Sequence, residues 1–177
     1  MSEFPARGDF ARPRTLAVTA LLAASAAGVG SLAGQGARSA WYRALRKPGY
    51  QPPAPVFPLV WTALYADIAV SSAYAADHTT QRDRTAYLRV LAANLAVNSA
   101  WSWIFFRAHR TGAAALTAGV LAASSADLTR RTLRVDRRAG GALVPYAVWC
   151  LFATVLSTDI WRRNRPSTPG TRRDVTR

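Results

Sequence analysis

The sequence predicts an all-α membrane protein, a bundle of five transmembrane helices with a proline-rich lid loop between the first and second. Three observations carry this. Half of the 177 residues are apolar although the formal net charge is +14. The basic residues, all arginine except Lys47, come in short bursts separated by apolar stretches. Five stretches (15–37, 48–66, 90–106, 111–126 and 139–158) contain no Asp, Glu, Lys or Arg. About 20 residues of helix cross ~30 Å of hydrocarbon, so each stretch is a span or most of one. Helices are predicted near 15–35, 56–76, 85–107, 111–129 and 141–163. Arginine bursts flanking apolar spans read as headgroup anchors and topology determinants. A nucleic-acid binder would gather its charge on one face of a soluble core, so nucleic acid is not an expected partner.

Residues 1–14 form a basic tail. The first span follows Arg12 and Arg14, and TLAVTALLAASAAG also fits the apolar region of a secretory signal peptide. The length of the charge-free stretch favours a retained helix. Residues 36–55, GARSAWYRALRKPGYQPPAP, carry Pro48, Pro52, Pro53 and Pro55. Proline fixes φ and removes a donor, so this loop is stiff and extended. Trp41, Tyr42 and Tyr50 give it an apolar underside, which suits a lid.

In the second span Trp61, Tyr65, Ile68 and Ser72 form one stripe, and Asp67 points to another face. An intramembrane carboxylate is a functional candidate, unless it is protonated or paired with an amide on a neighbouring helix. In the third span Asn94, Asn98, Trp101 and Phe105 share a face. The two amides either line a polar cavity or bridge helices. The fourth span is built of Ala, Gly, Ser and Thr and suits close helix packing. Small residues recur at Ala115, Gly119 and Ala123, and at Ala26, Gly30 and Gly34 in the first span. These stripes point to a homodimer, with the first-span stripe as its contact. In the fifth span Tyr146, Trp149, Phe152 and Leu156 form a stripe. Trp61 and Trp149 lie inside their spans rather than at the ends, where belt tryptophans sit. Their flat faces and single N–H donors suit a planar aromatic ligand. Asp159 is an interfacial ion-pair partner for Arg162 and Arg163. The tail 165–177 is basic and expected to be disordered.

A single cysteine, Cys150, and two scattered histidines leave no metal-ligand cluster, and no cofactor is expected. No catalytic triad or phosphate-binding glycine loop is present. Lysine and arginine divide almost equally between the two sides of a five-span layout, so orientation stays open. Heavy use of Ala and Arg suggests a GC-rich bacterial genome and hence the bacterial cytoplasmic membrane.

The run WYRALRKPGYQPPAPVFPLVWTALY (41–65) resembles the signature of the tryptophan-rich sensory protein / translocator protein (TspO) family. NLAVNSAWSWIFF (94–106) and VPYAVWCLFATVLSTDIWRRN (144–164) are similar to its third- and fifth-helix patterns. The resemblance implies a five-helix bundle with a pocket under the first loop that binds porphyrins and other tetrapyrroles, sterol-like lipids and synthetic aromatic ligands. Matching pocket positions are Trp41, Tyr42, Trp61, Tyr65, Asn98, Trp101 and Trp149. Trp61 and Trp149 match the pair associated with a proposed porphyrin-degrading activity and are the candidate catalytic residues. The implied function is that of a ligand-binding receptor, translocator or sensor. The alternatives are an enzyme that breaks porphyrin down oxidatively, and a regulator acting through protein partners. The chain departs from the family at Asn94, often Gln, at Asp67, usually apolar, and at Thr158, where the sterol-contact pattern wants an aromatic.

Overall fold

Large apolar residues cover much of the outside, and polar residues share the apolar core. Leu21, Leu59, Leu116, Val148 and Leu151 are exposed, while Thr19, Ser72, Asn94, Asn98, Ser125 and Thr132 are buried beside Leu64, Ile68, Leu91 and Leu128. Such an exterior suits a solvent of lipid chains, in which buried polar groups find their partners within the protein. The computed structural model describes residues 11–165. Five long helices run back and forth: α1 (Pro13–Gly34), α3 (Val56–Asp77), α4 (Gln81–Phe106), α5 (Thr111–Val135) and α7 (Val144–Arg163). Two short ones, α2 (Ala40–Ala44) and α6 (Arg137–Ala142), sit in connections. A 3₁₀ turn, Gln35–Arg38, extends α1.

Three helical units are long and apolar enough to cross a membrane: Pro13–Arg38, Val56–Asp77 and Arg137–Arg163. Helices α4 and α5 are longer than α3 but less apolar. Arg82, Asp83, Arg84 and Arg89 lie in the first turns of α4, and Asp127, Arg130, Arg131 and Arg134 in the last turns of α5.

Helix ends depart from the charge-free stretches for a simple reason. Charge limits the hydrocarbon-embedded part of a helix, not its hydrogen bonding. Helix α4 begins at Gln81 rather than near 85 because Thr80 caps it: its hydroxyl oxygen accepts from the Asp83 N–H at 3.2 Å and its O–H donates to Asp83 at 2.7 Å. Helix α5 runs on to Val135 through its arginines. The last predicted helix is divided: Asp136 caps α6 by accepting from the Ala139 N–H at 2.7 Å, and α7 restarts at Val144. Pro145 sits in its first turn, where a missing N–H is tolerated. Helix α1 starts at Pro13, so the basic tail is shorter than predicted. The rest of that tail, and the C-terminal tail after Arg165, lie outside the described residues.

Helix α1 packs on α3 and α4, and α5 on α4 and α7, while α3 and α7 barely touch. At one end Asp77 ties three helices together. It accepts from the Thr15 hydroxyl at 2.7 Å and from the Arg12 N–H, with the Arg84 guanidinium 3.8 Å away. Ala26 and Gly30 of the first-span stripe lie against α4 of the same chain, while a Cβ on Gly34 would meet nothing within 4 Å. Ala26 is buried and its carbonyl accepts from Ser99 at 3.4 Å, and a Cβ on Gly30 would lie 3.5 Å from the Ser102 hydroxyl. Close approach to α4 accounts for the small residues at Ala26 and Gly30. In the other stripe Ala115 is buried and Gly119 faces Thr154 of α7, whereas Ala123 is exposed.

Gly140 lets α6 fold back on the end of α5: a Cβ there would sit 2.5 Å from the Leu133 amide nitrogen and 2.6 Å from its Cα. Gly140→Ala is expected to lower stability by about 1–3 kcal/mol, because backbone must move. Thermal unfolding in detergent measures this, and an unchanged midpoint would mean that the turn yields freely.

Candidate functional site

The seven candidate residues fall into two linked groups. In the bundle centre, Trp61 and Tyr65 of α3 face Tyr146 of α7. The Trp61 ring lies 5.5 Å from Tyr65 and 6.4 Å from Tyr146, centroid to centroid. Asn98 of α4 is buried beneath them; its Oδ1 accepts from the Tyr65 hydroxyl at 3.0 Å and its Nδ2 donates to Tyr146 at 3.5 Å. Beneath the loop, Phe105 is the hub. Trp41 meets it edge-on at 5.7 Å, Tyr42 at 6.2 Å, and Trp101 stacks on it at 5.6 Å. Trp149 joins the groups, touching Phe57 at 6.0 Å and Phe152 at 5.3 Å. The periodicities thus put Trp61, Tyr65, Asn98 and Trp149 with one group, and Trp41, Tyr42 and Trp101 with the other.

Both amides of α4 bridge helices. Asn94 is fully buried; its Oδ1 accepts from the Tyr146 hydroxyl at 2.7 Å, and its Nδ2 donates to Ser124 and Ser125 at 3.1 Å each. Tyr146 therefore links both asparagines to α7. Its place in an aromatic stripe was visible in the sequence, but its hydroxyl's role as a junction was not. Asp67 has no amide partner on another helix. One of its oxygens accepts from Ser71 on its own helix at 2.9 Å, and the other has none. Asp159 pairs with Arg163 at 2.9 Å.

The loop is held at its edges. Arg46 and Asn164 exchange two hydrogen bonds of 3.0 Å, N–H to Oδ1 and Nδ2–H to carbonyl. Trp41 stacks on His109 at 4.0 Å. His109 adopts φ 56° in the turn from α4 to α5, a left-handed conformation that histidine enters more readily than most residues. Gly36 admits a close pass: a Cβ there would lie 2.7 Å from the Phe106 carbonyl. Tyr50 touches the underside only at its rim, its ring meeting Phe152 edge-on at 6.4 Å. It is exposed, and its hydroxyl donates to Asp159 at 3.2 Å. Gln51, which the sequence did not single out, donates from its amide to the Tyr42 hydroxyl at 3.3 Å. Burial raises the Tyr42 phenol above its ordinary value, against the smaller opposite effect of that bond. Tyr42 thus stays neutral at physiological pH.

Two surface grooves are present: one of about 370 Å³ beside Tyr50, Thr158 and Arg162, and one of about 470 Å³ between α5 and α7 at Ala122, Ala126, Ala147 and Leu151. None of the seven candidate residues lines either. The candidate rings pack against one another.

The sequence profile of the TspO/MBR family matches residues 17–162, which include both groups of rings and the loop and reach into all five long helices. The chain belongs to the TspO/MBR family. Named relatives agree. The chain is 32% identical over 131 residues to Protein CrtK of Rhodobacter capsulatus, covering 73% of this chain and 82% of that protein. It is 33% identical over 124 residues to the tryptophan-rich sensory protein of Cereibacter sphaeroides, covering 70% and 77%. With the human translocator protein it shares 32% identity over 133 residues, covering 74% and 78%. As a TspO/MBR member with three helical units apolar enough to span, the chain is a membrane protein.

Cys150 lies beside Trp149 in α7, fully buried, with the Ser125 hydroxyl 3.4 Å from its sulfur. A membrane-impermeant thiol reagent is expected to leave it unlabelled in intact membranes and to react after denaturation. Rapid labelling without denaturant would place this stretch of α7 in water.

Proposed function

We propose that this TspO/MBR protein is a five-span receptor, translocator or sensor that binds planar tetrapyrroles such as porphyrin, and sterol-like lipids, between its loop and its bundle. The carrying observation is two sets of rings, Trp61 with Tyr65 and Tyr146, and Trp41, Tyr42 and Trp101 about Phe105. Trp149 is packed on the first core and is in ring contact with Phe57 and Phe152 of the second. Large flat faces with few polar groups suit a planar apolar ligand. Helices α4 and α5 span in this reading because Asn94, Asn98 and Ser125 are buried, while their exposed arginines gather toward one end of each helix. The slight α3–α7 contact gives a ligand room to part Trp61 from Trp149. The rings are closed on one another, so the loop 36–55 acts as a lid that must lift, on stacked and hydrogen-bonded edges rather than covalent ones. The bacterial cytoplasmic membrane is the setting the proposal adopts, with the bacterial relatives in support. Homodimer formation through the first-span stripe stays within it, and mass in mild detergent is its measure.

A second reading is oxidative breakdown of the bound porphyrin. The observation in its favour is that Trp61 lies in ring contact with two oxidisable phenols, Tyr65 and Tyr146. One titration separates the two. Porphyrin added to purified protein should quench tryptophan fluorescence saturably. Under the binding reading its own spectrum then persists in light; under the enzymatic one it decays, and Trp61→Phe with Trp149→Phe stops the decay. No saturable quenching would remove both. Ligand-dependent capture of a protein partner would instead favour a regulator.

A further inference from the structure

The groove of about 470 Å³ between α5 and α7 contains none of the candidate rings. The small side chains of Ala122, Ala126 and Ala147 line it, with the exposed Val144, Val148 and Leu151. Thr129 lines it too, but its hydroxyl is spent on the Ser125 and Leu143 carbonyls, at 2.9 and 3.4 Å. Toward the α6 end the lining turns basic at Arg130, its one charged residue. Arg134 follows one turn later on the same face of α5. Helix α6 folds back on Leu133, itself a lining residue, and brings Arg137 and Arg138 to the same end. Residues 127–138 thus hold five arginines against two aspartates. Asp127 is shared by Arg130 and Arg131, and among the described residues Arg134, Arg137 and Arg138 have no carboxylate within ion-pair distance.

An apolar groove that runs into a basic end matches an anionic phospholipid. Its acyl chain gains little over other lipid tails, because hydrocarbon outside is as apolar as the groove. The headgroup therefore decides selectivity, and guanidinium forks suit a phosphate. A zwitterionic headgroup brings its own cation to the arginines and is held less well. A second copy of the chain fits poorly: a two-fold contact sets the same patch against itself, arginine against arginine. We propose that the α5–α7 groove binds one anionic phospholipid, its acyl chain along Ala122, Ala126, Ala147 and Leu151 and its phosphate on Arg130 and Arg134. This needs α5 and α7 to lie in the membrane and rests on nothing in the ring groups.

Native mass spectrometry of the full chain in detergent tests the site, with phosphatidylglycerol and phosphatidylcholine of identical acyl chains as probes. The first lipid bound should favour phosphatidylglycerol roughly 5- to 30-fold, the worth of one to two arginines. Arg130→Gln with Arg134→Gln should bring that ratio near one. Arg82→Gln with Arg89→Gln removes the same charge from the first turns of α4 and should keep it. Ala126→Leu fills the groove with every arginine in place and should weaken phosphatidylglycerol binding. Melting midpoints check each variant, and Ala123→Leu, at another lining position, replaces Ala126→Leu if that one does not fold. Excess glycerol 1-phosphate should not compete, since it lacks the chain. A parent ratio near one, an equal loss from both arginine pairs, or undiminished binding in the filled groove overturns the proposal. Competition by glycerol 1-phosphate overturns it in favour of a free-phosphate site. A dimer mass that Ala126→Leu abolishes overturns it in favour of a second copy.

Discussion

Asn94→Leu is expected to destabilise the bundle by about 2 kcal/mol, because it removes the one residue that ties α4 to both α5 and α7 through a single amide. Leucine is close to asparagine in size, so the loss is of partners rather than volume. The Tyr146 hydroxyl, fully buried, loses its acceptor at 2.7 Å. Ser125 suffers less, since its own hydroxyl already donates to the Leu121 carbonyl at 2.8 Å. Hydrogen bonds between membrane helices average well under this figure, and only the multiplicity at Asn94 lifts the expectation above it. A double-mutant cycle isolates the cause. Tyr146→Phe removes the stranded hydroxyl, so Asn94→Leu with Tyr146→Phe should be less destabilised than the two single losses added. Strict additivity in thermal or denaturant unfolding would show that the amide and the phenol do not act together.

Trp61→Ala and Trp149→Ala are each expected to weaken porphyrin binding roughly 3- to 10-fold, the worth of an aromatic wall at about 0.5–1.5 kcal/mol beyond its area. The two should differ in their side effects. Trp61 contacts Tyr65 and Tyr146, which sit on the Asn98 network, so its removal loosens the bundle centre as well. Trp149 contacts Phe57 and Phe152 instead, and its loss should spare stability more. Fluorescence titration with melting curves on the same samples separates binding from folding. If both variants fold and bind as the parent does, the rings are core packing and the ligand sits elsewhere. Asn98→Leu is expected to act first on stability, since both ends of its amide are already occupied by tyrosine hydroxyls.

Much of the architecture was legible because charge-free length and ring spacing are local properties. Trp61 and Tyr65 of one stripe do meet Tyr146 of another, since residues on one helical face share neighbours, whereas Asn98 and Trp101 of a single stripe divide between the two groups of rings. What stayed hidden was decided between elements. No spacing rule tells whether a buried amide bridges helices or faces a cavity; Asn94 and Asn98 turn out to bridge, as their tyrosine and serine partners show. The small-residue stripe at Ala26 and Gly30 looked the same whether it faced α4 or a second chain. Tyr50 and Gln51 differ from the reading because the chain closes into a turn there, the Gln51 N–H donating to the Pro48 carbonyl at 3.1 Å, where an extended loop was expected. The short helices α2 and α6 were missed because their caps, Ser39 and Asp136, sit in segments read as plain connections.

The paired bonds between Arg46 and Asn164 have a practical consequence for anyone handling this protein. Asn164 stands at the very close of α7, so the end of the last helix and the middle of the first loop are clasped together. A purification handle or fluorescent fusion joined directly behind Asn164 would pull on that clasp and, through it, on the stretch leading to Tyr50 and Gln51. Such a fusion would report altered ligand retention that belongs to the tag. A junction placed well beyond Arg165, through a flexible spacer, leaves the clasp intact. Cutting the chain back to Arg163 gives the opposite experiment, a loop released at one corner with every ring still in place.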